Sequence, residues 1–312
     1  MAVQLTVQIT LTDSTIKTVS NIISAVIEKD KYIPYSKLTL RAIVSESMRS
    51  SLTKAKRIAF YISGSLVHRG IVDKAQVLSG STRAELVLVS RGLGVTLCQC
   101  EPEPGIWSNV TLKEVVQRSR TTTEITYETG TDSVNYVYIP EKEGGWEAVC
   151  AYGLKAYGRY PYVRSPAKVC VTPSTVTKTL SGKRIIRHGN VFDTTRMLTK
   201  LHMLDTGGQY TYEAEDSTAL QYGFRREKYY PLDQQWLQDE NLGLSMKLKI
   251  AGRAAKGYEI CYAGFSGEDL TDRVSFAGIG SLNRQIRVGA IRIEISDRGI
   301  FTTLTEYTDG FS

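Results

Sequence analysis

Between residues 3 and 11 every second position is apolar, Val3, Leu5, Val7, Ile9 and Leu11, and the positions between them are polar. A period of two puts one apolar stripe on one face of a half-buried strand. Residues 37–44 and 85–90 alternate in the same way. Between the first two runs, Ile16, Val19, Ile22, Ile23, Val26 and Ile27 fit helical spacing. Their β-branched side chains crowd a helix and suit a pleated surface, so the segment is read as strand. Residues 57–63, 66–78 and 83–89 continue as strands, joined by Ser-Gly turns at Ser63-Gly64 and Ser79-Gly80. The pattern predicts an antiparallel barrel or sandwich of about six strands over residues 1–95.

The pattern changes after Ser90. Pro102 and Pro104 forbid helix and remove two backbone donors, which marks a linker. Asn109 is read as the N-cap of a short helix from Thr111 whose apolar positions Leu112, Val115 and Val116 share one face. Strands are expected at 124–127 and 134–139, a helix near 146–157, and short strands around Tyr162 and 168–171. That mixture predicts a small α+β domain over residues 96–180. From Ile185 strands return: a hairpin of 195–204 with 209–215, then 257–265, 287–295 and, after an Asp297-Arg298-Gly299 turn, 300–307. A helix over 238–256 interrupts them, with Leu242, Met246, Lys249 and Arg253 along one stripe. The third unit is 181–312, and no sequence repeat relates it to 1–95. The fold class expected is mainly β, two antiparallel barrels joined by an α+β insert.

Three blocks carry a family resemblance. Residues 90–119 (SRGLGVTLCQCEPEPGIWSNVTLKEVVQRS) run from strand through an acidic Pro-Gly linker into a helix opened by Thr-Leu. Residues 145–162 (GWEAVCAYGLKAYGRYPY) place a Trp before an apolar helical stripe with a Gly-x-x-Pro-Tyr exit, and residues 198–212 (LTKLHMLDTGGQYTY) form a hairpin. In order and spacing they resemble the late control protein D family, the baseplate hubs of contractile-tailed phages and tail-like bacteriocins. The resemblance implies a homotrimer whose subunits each contribute two tail-tube-like barrels. Six barrels would form a ring that meets the tail tube protein above and a spike protein below, beside baseplate wedge or peripheral hub proteins. DNA can pass through such a lumen. No cofactor and no metal is implied, and the chain would be made in the bacterial cytoplasm and assembled into the virion or particle.

Composition narrows the alternatives. The 312 residues suffice for two or three domains, and 42% apolar with 23% charged residues is ordinary for a globular chain. The first ten residues alternate where a signal peptide would carry a basic region and an apolar run, and no stretch of eighteen apolar residues occurs, so membrane insertion is not expected. Five cysteines, an odd number without a Cys-x-x-Cys pair, are expected to be reduced. Cys98 and Cys100 are read as alternate strand positions packing on one face. The formal charge of +7 lies entirely in residues 1–95, densest at Lys54, Lys56 and Arg57 in a Ser-rich segment read as a loop. Those three are the candidate partner-facing residues, for an acidic neighbour or, as a separate alternative, nucleic acid.

Catalytic signatures are incomplete. Asp205-Thr206-Gly207 is the aspartic protease tripeptide, but it has no second copy and is followed by Gly208, so it reads as a hairpin turn. Glu141, Glu143 and Glu147 flank Trp146 and raise a glycan hydrolase alternative, against which Glu147 in a first helical turn complements the helix dipole. His68, His188 and His202 lie far apart, and no phosphate loop is complete. The expectation is a structural protein without a catalytic residue.

Overall fold

The computed structural model describes residues 3–79, 83–236, 240–279 and 282–311. The apolar alternation at the start becomes seven strands, β1 (Leu5–Leu11), β2 (Ile16–Val19), β3 (Ile22–Asp30), β4 (Lys37–Val44), β5 (Ala55–Ile62), β6 (Ser65–Ser79) and β7 (Ala84–Gly92), with a one-turn helix α1 (Arg49–Leu52) before β5. Only Ser20 and Asn21 separate β2 from β3, so the two form one bent strand, as its β-branched composition predicts. Its first half pairs with β1 and its second with β4. Because β1 pairs β5, β5 pairs β6, β6 pairs β7 and β7 pairs β4, the ring of strands closes into a barrel. Ile9, Leu38, Leu40, Phe60, Leu86 and Leu88 are wholly buried inside it. The tight β5–β6 turn uses Ser63 and Gly64, both at positive φ, the geometry that two-residue hairpins favour. Of the second predicted turn, Gly80 lies outside the described residues.

The middle segment holds α2 (Val95–Gln99), β8 (Gly105–Val110), α3 (Leu112–Ser119), β9 (Thr126–Tyr127), β10 (Val134–Ile139), α4 (Gly145–Tyr157), β11 (Tyr162–Arg164) and β12 (Lys168–Cys170). Val115, Val116, Trp146, Val149 and Tyr152 bury against Trp107 and Val137 of the β8–β10 pair in a core of their own. Two local readings are corrected. Asn109 is not the cap: it sits at φ +50 inside β8, and Thr111 caps α3 in a reciprocal box with Glu114, whose carboxylate accepts from the Thr111 amide at 2.8 Å. Cys98 lies in α2 and not on a strand, so it and Cys100 do not share a sheet face.

Strands then return as β13 (Thr177–Leu180), β14 (Ile185–Phe192), β15 (Lys200–Met203) and β16 (Tyr212–Glu215), followed by α5 (Ser217–Leu220), β17 (Glu227–Tyr230) and α6 (Glu240–Gly252). The chain ends in β18 (Lys256–Ala263), β19 (Arg273–Ile279), β20 (Leu282–Arg287), β21 (Ala290–Ser296) and β22 (Gly299–Tyr307). The set β14, β18, β22, β21 is antiparallel; β21 continues back into β20, which pairs β19, and β19 pairs β13, which leads into β14. A second barrel closes, with β13–β19 as its one parallel pairing among the described residues. The 193–255 excursion between β14 and β18 packs α6 on the β16–β15–β17 sheet through Leu244 and Leu248 against Leu201 and Met203. The stripe read from sequence is therefore displaced: Lys249 is exposed, Arg253 lies past the helix, Gln238 lies outside the described residues, and of the Leu242 side chain nothing is described.

The protein is thus mainly β with an α+β insert, as expected. The two barrels share a strand order that no sequence repeat announces. The bent strand β13–β14 answers to β2–β3, β18 to β4, β19 to β5, the bent strand β20–β21 to β6, and β22 to β7; among the described residues β1 has no counterpart. The barrels are joined edge to edge, since β21 pairs antiparallel with β3 from Ala290–Asp30 to Ile295–Ala25. One eleven-stranded sheet runs through both.

Candidate assembly interface

The seam between the barrels shows what this sheet does at a boundary. β3 is flanked on both sides, by β4 and by β21. Its inward row is Ala25, Ile27 and Lys29, of which the first two are apolar and the third is a buried cation. Lys29 reaches Asp269 at 3.2 Å, from the loop between β18 and β19, and also bonds Ser165. Arg164 of the insert bonds Asp272 at 2.8 Å, and Thr271 and Ser174 complete the cluster. Burial alone would raise the Asp269 carboxyl, but Lys29, the amides of Ser165 and Leu270, and Arg164 together hold it below the ordinary carboxylate range. First barrel, insert and second barrel are locked by one buried ionic cluster. Beside it, Asp309 pairs with Lys31 at 2.5 Å and accepts from Tyr32, while Phe311 packs with Tyr32 and Leu154. Lys29 was legible as an anomaly, a cation at an inward strand position, but its partners come from residues more than 130 positions away.

At the two ends of the same row of strands the sheet is open. β14 pairs only β18, and among the described residues no strand meets its other edge. Six of its eight residues are exposed, including Ile186, Val191 and Phe192. On β6, pairing with β5 stops at Ile71, so among the described residues β7 is the one strand that pairs with 72–79; Leu78 there is 55% exposed. Unpaired strand edges of this length are adhesive, and solitary proteins normally protect them.

On the face of the sheet turned away from the cores, arginines are paired with carboxylates. Arg41 meets Glu85 at 2.6 Å, Arg91 meets Asp73 at 2.8 Å, Arg187 meets Glu259 at 3.2 Å, and Arg292 bridges Glu28 and Glu294 across the seam. Exposed pairs of this kind add little stability, but they cancel charge locally.

The basic cluster is split by the structure. Lys54 lies in a turn and is exposed; Lys56 and Arg57 lie in β5 and not in a loop. Lys56 is exposed, whereas Arg57 meets Glu124 of the insert at 3.3 Å, as does Arg69 at 2.6 Å.

The residues weighed for chemistry are dispersed. Asp205 accepts from the Gln209 and Gly207 amides and from Thr211, bonds that lower its pKa and define a turn at the β15–β16 hairpin. His68 is buried between Ser36 and Ser90, 2.7 and 2.9 Å away, and burial pushes its pKa down to about 3, so the ring is neutral. His202 lies between Glu213 and Glu227, and His188 bonds Tyr258. Among the described residues no group of His, Cys, Asp or Glu is arranged to hold a metal ion. A cleft of about 540 Å³ opens between α4, β10, residues 230–235 and α6. Glu143 and Glu147 line it, and burial raises the Glu147 carboxyl. Both belong to the α4 wall; the carboxylate opposite, Asp233, is occupied by Lys247 at 2.7 Å. Among the described residues no helix is long and apolar enough to cross a membrane.

No protein-family model and no curated protein matches the sequence. Solved structures do. A tail protein from Neisseria meningitidis superposes over all of this chain and 98% of its own, with a TM-score of 0.70 at 16% identity. A 43 kDa tail protein of prophage MuSo2 from Shewanella oneidensis aligns over 97% of this chain and 98% of its own, at 0.67 and 13%. An Escherichia coli component of the type VI secretion system, described as similar to T4 bacteriophage tail proteins gp27 and gp5, aligns over 91% of this chain and 73% of its own, at 0.53 and 8%. At such identities the likeness is one of fold, and at that level the tail-protein resemblance read from the sequence holds: this chain has the architecture of phage tail proteins.

Proposed function

We propose that the protein is a structural component of a phage tail or tail-like particle, its baseplate hub. Three copies would place six barrels in a ring, matching a six-fold tail tube on one side and a three-fold spike on the other. The observation that carries the reading is the in-chain seam: two barrels of one strand order, joined by β21 and β3, with open edges at β14 and β6 where further barrels would follow. The units 1–95, 96–180 and 181–312 would then be first barrel, lateral insert and second barrel. The sheet face that carries these ion pairs would line the lumen through which DNA or another cargo passes. Of the basic cluster, Lys54 and Lys56 are the cations left for an acidic neighbour in the tube, spike or wedge. Synthesis in the bacterial cytoplasm and assembly into the particle complete the reading. Mass measurement of the purified protein tests it. A trimer is expected, alone or with its neighbours, and a monomer or a two-fold pair in the assembled particle would overturn it.

A further inference from the structure

The barrel correspondence can be made residue by residue. In the first barrel a row across the sheet runs Ala75, Leu88, Leu40, Ala25; in the second it runs Ile291, Leu304, Ile260, His188. Laying one row on the other puts wholly buried Leu304 on Leu88 and Ile260 on Leu40. The same superposition brings the first pair of β4–β7, Lys37 with Arg91, onto the first pair of β18–β22, Gly257 with Tyr307. It also brings the tips of the β6–β7 and β21–β22 hairpins to within a residue of each other. Three separate features agree on one alignment.

Under that alignment the seam strands have open equivalents. Residues 290–295 of β21 answer to residues 74–79 of β6, and residues 25–30 of β3 answer to residues 188–193, in and just after β14. Those are the stretches whose outer edges have no strand partner among the described residues. We propose that residues 74–79 of one copy pair antiparallel with residues 188–193 of a second copy of this chain, in the register of the internal seam. This rests on the ring reading above and specifies which edges close it. Phe192 then faces Ala75, Val191 faces Gln76, Asn190 faces Val77, and Gly189 faces Leu78. Leu78 and Val191 then lie diagonally on one face of the new pair and Phe192 covers Ala75 on the other, which accounts for apolar side chains on an edge strand. Where the internal seam has the Arg292–Glu28 ion pair, the seam between copies has Gln76 and Val191.

Opposed residues of an antiparallel pair hold their Cβ atoms about 5 Å apart, close enough for a disulfide after small adjustment. Gln76→Cys and Val191→Cys are surface changes, made on separate chains, mixed and oxidised. A linked pair joining the peptides of residues 76 and 191 is expected, and each variant oxidised alone should not form it. Gln76→Cys mixed with Ile186→Cys, about 17 Å out of register, should stay unlinked. A trimer that links neither mixture, or links both equally, overturns the edge pairing and leaves the ring reading standing. A monomer at every concentration with no link overturns both. A second variant reads the register without oxidation: Gln76→Arg with Val191→Glu recreates the seam's ion pair and should slow subunit exchange relative to either single change, and no slowing counts against the register.

Discussion

The two barrels solve one topology by different means. The first is lined largely by alternating strands and closes through an additional strand, β1, set between β2 and β5. The second closes through the short parallel pair β13–β19 and interrupts its β14–β18 hairpin with the 193–255 excursion. What stays constant is the set of four strands nearest the seam; what varies is the far side. Their buried polar groups differ too. The first barrel holds neutral His68 between two serines, whereas the second holds Tyr262, which donates to Glu268 at 2.5 Å. The shared topology is thus confined to the strands that meet at the seam, while the closure on the far side differs.

The comparison breaks most severely at the cluster both barrels share. Asp269→Ala leaves Lys29 buried without its carboxylate and removes one partner of Arg164, so a loss of about 3–5 kcal/mol is expected in chemical denaturation. An effect below about 1 kcal/mol would show that the barrels do not depend on it. Next come the equivalent core positions: Leu88→Ala and Leu304→Ala should each cost about 2–5 kcal/mol. A single transition lost as a whole in both variants would mark one cooperative unit; two transitions, each lowered by only one variant, would mark two.

A smaller, graded difference comes from His68. Folded, its ring stays neutral to about pH 3; unfolded, it takes up a proton below about pH 6.5. Its contribution is therefore intact above the unfolded value and is lost on acidification between those limits, by up to about 1.4 kcal/mol per pH unit. His68→Gln should flatten the stability profile between pH 5 and 6.5, and an unchanged slope would refute the assignment. The smallest effect is expected at the basic cluster. Lys54→Ser with Lys56→Ser should leave the melting midpoint unchanged, since both are exposed, while Arg57→Ser adds the loss of the Glu124 contact.

Much of the first barrel was legible because a half-buried strand repeats every two residues, and residues 3–90 do so with few exceptions. The chemistry of residues such as Asp205 was legible as well, since Asp-Thr-Gly-Gly suits a turn. What escaped was of two kinds. Elements without a period were missed: α2 in Val95–Gln99, β8 beside two prolines, and β13, β17 and β19, each too short or too mixed to stand out. The duplication was hidden because a barrel interior asks only for apolar volume, so Leu88 and Leu304 match while their neighbours do not. The open edges of β6 and β14 were invisible for a further reason. An edge is a property of what is absent beside a strand, and only the three-dimensional pairing reveals it.

The in-chain seam also bears on how such a ring would come together. Six separate barrels would surrender translational and rotational freedom at five joining steps, and each step costs several kcal/mol. Two barrels on one polypeptide meet at an effective concentration set by the intervening chain and not by the cell, so half of the junctions are in place once the chain has folded. Two encounters between copies then suffice. If the ring forms as proposed, β3, flanked on both sides within its own chain, would turn half of an assembly problem into a folding problem.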